Sequence, residues 1–433
     1  MGATEAAGGA GGGAGSGIAL AWRRDLHVHP EVGFTEFRTA SRVAGTLADL
    51  GWDVVTGPAA MVPGERLGVP SDAELATAYD RAAETGADPR FLPAMRGGHT
   101  AVVATLRGAR PGRSVGLRAD LDALPITEST DPAHRPARHG YPSAFPGSMH
   151  ACGHDGHVGM AVELAHRLAA DPPAGTVSIF FQPAEEGGRG GRAVAAAGLA
   201  DAVDLLVAVH LGLSLPTGVL APSIDGLLAN SKLRAVFRGR AAHASLAPQD
   251  GRNALLGAAS ATLALQGLTR VAGHETRVAV GRISGGTASN IVPDTAELLL
   301  ETRADDGAVN GDLEARARAM LEGAALMHGL GVDIELIGAV TTARPDAAAA
   351  EAVASAGRAA GLRLGRPPAD SGIASDDATA LMRRVQEHGG TATYAGLGAD
   401  LAGPHHTPTF DFDEAALAPG VDLLEHLVRG SGG

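Results

Sequence analysis

The pattern of apolar residues changes twice along the chain, and that double change is what most constrains the fold. As far as about residue 229, short apolar strands such as TAVVATLRG (100–108), SVGLRAD (114–120) and GTVSIFFQP (175–183) alternate with amphipathic helices. Strands of that kind are buried on both faces, which specifies an α/β unit around a largely covered sheet. From about Ser231 the order becomes strand (SKLRAVFRG), helix (about 251–269), two strands (TRVAVGRISGG and TAELLLETR), helix (about 309–328) and strand (GVDIELIG). This β-α-β-β-α-β order is a ferredoxin-like α+β unit, complete in itself. The α/β pattern resumes from about Ala343. A smaller unit, 230–340, is therefore expected to be inserted into a larger one made of 18–229 and 341–433. A further helix is expected within 69–95, where Ser71 and Glu74 have the spacing of a capping box.

A chain of 433 residues is too long for one compact core, which agrees with two units. Its net charge of −13 argues against nucleic-acid or anionic-membrane surfaces, which need a basic face. The partners to expect are small molecules or protein. Lys232 is the sole lysine among 35 cationic residues. Cys152 is the only cysteine, so no intramolecular disulfide forms, and residues 1–17 have neither a basic segment nor an apolar one of the secretory type. That stretch reads as a flexible tail and the protein as cytoplasmic. No apolar run approaches the roughly 20 residues that span a bilayer.

The chemistry is concentrated at predicted loop edges of the larger unit. In SMHACGHDGHVGM, Cys152 and His154 lie two apart, so on extended chain they project from one face and can share an ion; a packed cysteine beside polar histidines is the alternative. Glu185 and Glu186 follow the strand GTVSIFFQP at the carboxyl end, where α/β sheets place ligands. Adjacent side chains diverge, so one Glu can bind a metal while the other acts as a general base; a solvated acidic turn is the alternative. His210 ends the run VDLLVAVH, and His405 and His406 lie in the loop GPHHTPTF. Asp120 ends another strand, where its carboxylate could orient a ligating imidazole. In the smaller unit, His243, Asn290 and Arg303 are residue types suited to an oxyanion and a substrate carboxylate. His27, His29 and Glu31, at the first helix-to-loop junction, fit a polar loop edge and are left outside the ligand set.

Six ordered motifs, MHACGHDGH, FQPAEEG, AVHLG, AAHAS with DGRNAL, SNIVP and HHTPTFDFDE, resemble the dinuclear-metal amidohydrolases that include hippurate hydrolases and auxin-conjugate hydrolases. The segment 69–95 with RGGHTAVVATLRGARPG, HRPARHG and SDDATALMRRVQEHGG is similar to the branch that cleaves p-aminobenzoyl-glutamate. The resemblance implies a zinc-peptidase-like catalytic domain with a central mixed sheet, and an inserted lid through which two chains dimerise. It implies that Cys152, His154, Glu186, His210 and His406 bind two divalent ions, Mn2+ or Zn2+, and that Glu185 is the catalytic base. It also implies that His243 reaches the partner chain's site, and that Asn290 and Arg303 hold the substrate carboxylate. The expected reaction is hydrolysis of an N-acyl amino acid. Rival readings are another acyl group (N-acetyl, hippuryl or indole-acetyl) and a non-catalytic subunit working with a related second chain.

Overall fold

The computed structural model describes residues 17–268, 270–368 and 375–430. Of the expected tail, 1–16 lies outside the described residues, and Gly17 opens a helix. The chain begins with helices α1 (Gly17–Val28) and α2 (Phe37–Asp49), strand β1 (Asp53–Thr56) and helix α3 (Asp72–Glu84). The Ser71 and Glu74 side chains form the expected capping box at the start of α3. Next come β2 (Val102–Arg107), β3 (Ser114–Asp120), the short α4 (Arg135–His139), α5 (His154–Ala170), β4 (Thr176–Gln182), α6 (Gly191–Ala196), β5 (Leu205–Leu211) and β6 (Val219–Ala221).

A separate four-stranded antiparallel sheet follows, built from β7 (Ala229–Arg238), β8 (Thr276–Gly285), β9 (Thr295–Ala304) and β10 (Gly331–Val340) in the order β10-β7-β9-β8. Helices α7 (Ala254–Leu265) and α8 (Gly307–Met327) cover one face. Strand alternation explains the arrangement. Leu233, Ala235, Phe237, Leu298 and Leu300 pack against the helices, and Lys232, Arg234, Glu301 and Arg303 fall on the opposite face.

The first sheet is then completed. After α9 (Ala347–Ala359), β11 (Arg363–Leu364) and α10 (Ala378–Glu387), strand β12 (Thr391–Leu397) inserts beside β5, and α11 (Leu417–Gly430) closes the chain. Its order is β1-β2-β4-β3-β5-β12-β6-β11, with antiparallel pairings at the β1-β2-β4 side and parallel ones through β4-β3-β5-β12. This is a central mixed sheet. Every residue of β5 is buried, because α5, α9 and α11 pack on one face and α6 and α10 on the other. Three adjacent parallel strands, β4, β3 and β5, thus end side by side, with Asp120 in register with Gln182. That edge is where an open α/β sheet collects functional groups. Among the described residues no helix is long and apolar enough to cross a membrane.

Candidate metal centre and active site

The site forms where those strand ends meet the first turn of α5. Cys152 and His154 converge there, but not on extended chain: Gly153 takes a left-handed conformation (φ 96°) and His154 opens the helix. The reversal at Gly153 puts the two side chains together without the alternation of a strand. Cys152 Sγ is 3.5 Å from His210 Nε2, and ligand atoms of Cys152, His154 and His210 lie within 4.8 Å of one another. The same holds for Cys152, Glu186 and His406, and for His154, Glu185 and Glu186. All five residues expected to bind metal, together with the expected base, are therefore neighbours through shared members.

Hydrogen bonds aim the ligand atoms. His154 Nδ1 is 2.8 Å from the Asp122 carbonyl and His210 Nδ1 is 2.9 Å from that of Leu211. A carbonyl can only accept, so each Nδ1 carries the proton and each Nε2 presents a lone pair to the cluster. His154 Nε2 is buried and has no hydrogen-bond partner. Neither has Glu186 Oε1, which lies 3.2 Å from His406 Nε2 outside hydrogen-bonding geometry. Orphaned buried donors and acceptors are costly. A thiol, imidazole nitrogens and a carboxylate around such atoms fit a divalent cation of borderline softness. His406 holds its place with a left-handed backbone (φ 61°), rare for a side chain of its size, while its N–H donates to the Ala151 carbonyl.

The electrostatics agree with that fit. Burial, and then the charges of Asp376, Glu186 and Asp377, push the Glu185 carboxyl well above its usual range. Burial, and then Glu186, push the Cys152 thiol up as well. A cation held by Cys152, His154 and Glu186 would reverse both effects, favouring thiolate and carboxylate.

Asp120 behaves differently from its expected role. Its carboxylate accepts a 2.6 Å hydrogen bond from His157 Nδ1, and its other oxygen stands 3.6 Å from His154 Nε2. The imidazole it orients is His157, one helical turn beyond His154, whose own Nε2 accepts from the Leu211 N–H. His154 is oriented by the Asp122 carbonyl instead, and its ring stacks on His157 with centroids 5.6 Å apart.

Three residues without an expected role shape the site. Asp122 accepts the backbone N–H of Glu185 and of Glu186, each at 3.0 Å, and so fixes the turn that carries them. Asp376 and Asp377 lie beside Glu185, held by the buried Arg118, which also pairs with Asp120. Asp377 accepts from the Gly191 N–H at 2.7 Å and from the Gln182 amide. Asp376 also accepts the Ala378 N–H at 2.8 Å, at the start of α10.

His243 and Asn290 come together, but away from the strand-end cluster. His243 pairs with Ile291 in an isolated bridge, and the Asn290 carbonyl accepts from the Ala244 N–H. His243 Nδ1 accepts from the Ser245 and Leu246 amides. Arg303 pairs with Glu301, and its Nη1 is 3.5 Å from Ser375 Oγ. His27, His29 and Glu31 are outside the cluster: His27 bridges Asp155 and Glu128, and Glu31 accepts the Arg38 and Thr39 amides at the start of α2.

Known proteins are similar to the chain over most of its length. Indole-3-acetyl-aspartic acid hydrolase of Enterobacter agglomerans is 44% identical over 406 residues, 93% of each chain. One of the named subunits of p-aminobenzoyl-glutamate hydrolase from Escherichia coli (strain K12) is 42% identical over 406 residues, again 93% of each. The crystal structure of an aminobenzoyl-glutamate utilization protein from Klebsiella pneumoniae matches with a TM-score of 0.81 at 35% identity, covering 95% of both chains. The pattern of the peptidase family M20/M25/M40 spans residues 116–430, from β3 to the last helix, and contains every residue of the strand-end cluster. The chain belongs to peptidase family M20/M25/M40.

Proposed function

We propose that the chain hydrolyses the amide bond of an N-acyl amino acid, with p-aminobenzoyl-glutamate as the substrate and p-aminobenzoate and glutamate as products. The observation that carries this reading is the pair of orphaned, buried ligand atoms on His154 and Glu186 beside the buried carboxyl of Glu185. Cys152, His154, Glu186, His210 and His406 would hold two divalent ions, Mn2+ or Zn2+. When bound, such ions polarise the amide carbonyl and acidify the attacking water. Glu185 then accepts the proton of that water and delivers it to the leaving nitrogen, so that amide and water give carboxylic acid and amine. Asp122 keeps Glu185 and Glu186 in register for these two tasks.

The four-stranded unit, 230–340, serves as a lid and dimer contact. Its exposed apolar side chains support this: Leu246, Leu256, Leu263, Ile283 and Ile291 all lie on α7, β8 or the loops beside them, and β8 is an edge strand. The partner expected there is a second copy of the chain. His243 of one chain would then stabilise the oxyanion in the other, while Asn290 and Arg303 hold the α-carboxylate. A net negative charge and a single cysteine fit a cytoplasmic enzyme.

The likeness to indole-3-acetyl-aspartic acid hydrolase favours a second substrate, indole-3-acetyl-aspartate. The test is release of p-aminobenzoate, or of indole-3-acetate, by metal-stripped protein reloaded with Mn2+ or Zn2+. Metal-dependent release of either supports the reading and chooses the acyl group. Loss of metal dependence, or no release from any N-acyl amino acid, contradicts it.

A further inference from the structure

The single lysine of the chain ends beside the turn that carries Glu185 and Glu186, and nothing in the mechanism uses it. Lys232 is on β7, on the face of the four-stranded sheet turned away from α7 and α8. Its stem passes Gly338 of β10, where a Cβ would meet Lys232 Cδ at 3.4 Å. Its head ends beside the turn that carries Glu185 and Glu186: a Cβ on Gly187 would stand 3.6 Å from Nζ. The two elements are fastened together there, since the Ala339 N–H donates to the Gly188 carbonyl at 2.8 Å.

The side chain is half-buried, and burial lowers the pKa of its ammonium. Its nearest acidic neighbour across the strands, Glu301, is already engaged by Arg303, through Nε at 2.8 Å and Nη2 at 3.1 Å. Among the described residues the Lys232 ammonium forms no hydrogen bond and no ion pair, while its backbone lies in the ladders with β9 and β10. Arg303 adds a second cation nearby, and the remaining acidic influence comes from Glu185 and Glu186, the residues given to the metal and its water. A half-buried ammonium without a side-chain partner has lost part of its hydration and gains from an anion that comes to pair with it. The reading above assigns the α-carboxylate to Asn290 and Arg303, which would exchange its Glu301 pairing for the substrate, so the second carboxylate of a dicarboxylic amino acid is the anion that remains for Lys232.

We infer that Lys232 reads the side-chain carboxylate of the substrate, making the chain selective for N-acyl derivatives of glutamate or aspartate over neutral amino acids. This rests on the amide-hydrolase reading above and adds to it a specificity-determining residue. An ammonium is suited to the task because a compact charge on a flexible stem can follow side chains of two lengths.

The experiment compares kcat/KM for N-acyl-glutamate and N-acyl-glutamine, each with p-aminobenzoyl and indole-3-acetyl groups, in the wild type, Lys232→Met and Lys232→Arg. The wild type is expected to prefer the glutamate compound. Lys232→Met should reduce that preference by on the order of 10- to 100-fold, the scale of a lost charge-assisted hydrogen bond. Lys232→Arg, which keeps the charge, should retain most of it. A wild type that cleaves both compounds equally well, or a Met variant that slows both by the same factor, overturns the inference and leaves the amide-hydrolase reading intact. A wild type that cleaves no N-acyl amino acid overturns both.

Discussion

Asp122 shows how a residue can govern a site without touching the reaction. Both of its oxygens accept amides from the turn at Glu185 and Glu186, and its carbonyl orients His154. Asp122→Asn replaces one acceptor with an NH2 group that faces an N–H. We expect turnover to fall about 10- to 100-fold, a loss of roughly 1–3 kcal/mol of positioning, in a protein that still folds; wild-type kinetics in that variant would contradict the assignment. Cys152→Ser keeps the size but weakens the soft donor, so metal content by elemental analysis should fall, and a full complement would remove the thiol from the ligand set. The candidate ligand types were legible from the sequence because Cys, His and Glu recurred at predicted loop edges of one unit. Asp122 and the Asp376-Asp377 pair were not, because their roles depend on which amide or carboxylate the folded loops bring opposite them. The extended-chain account of Cys152 and His154 also failed for a local reason, the left-handed turn at Gly153.

At the scale of elements, α1 is docked by a buried cation. Arg23 is wholly inaccessible and pairs with Asp155 at the start of α5, with Asp411 and with Glu414. Arg23→Met would leave buried Asp155 with only His27, and buried Asp411 with only the partly exposed Arg135, as basic partners, a cost of roughly 3–5 kcal/mol in denaturant unfolding; an unchanged midpoint would contradict that. Burial alone would raise the pKa of Asp155, but Arg23 and the hydrogen bond from His27 outweigh it and hold it below the ordinary 3.8. A depressed carboxyl pKa contributes stability that is present above the unfolded value and is lost as pH falls through the folded one. The Tm gap between wild type and Asp155→Asn should therefore narrow as pH drops below about 4, whereas a constant gap would show that Asp155 does not titrate in this way. The alternation of strands and helices, the capping box of α3 and the β-α-β-β-α-β order were legible because each rests on periodicity or local spacing. The order of the eight strands was not, since insertion of β12 beside β5 joins segments nearly 200 residues apart and leaves no local trace.

At the scale of the whole molecule, the apolar side chains on α7 and β8 make association of two chains through the four-stranded unit the expected state. Light scattering should give the mass of two chains, and Leu263→Glu combined with Ile283→Glu should give one; a wild-type monomer would contradict the lid contact. If His243 works in the partner's site, mixing Glu185→Gln with His243→Ala chains should restore activity that neither has alone. All of this depends on one assignment, that Glu185 moves the proton while its neighbours hold the metal. The direct test is to measure bound metal and turnover together in Glu185→Gln. The account predicts a full metal complement with turnover reduced to background. Substantial remaining turnover would contradict it, because the base would then be elsewhere, and loss of the metal would place Glu185 among the ligands instead.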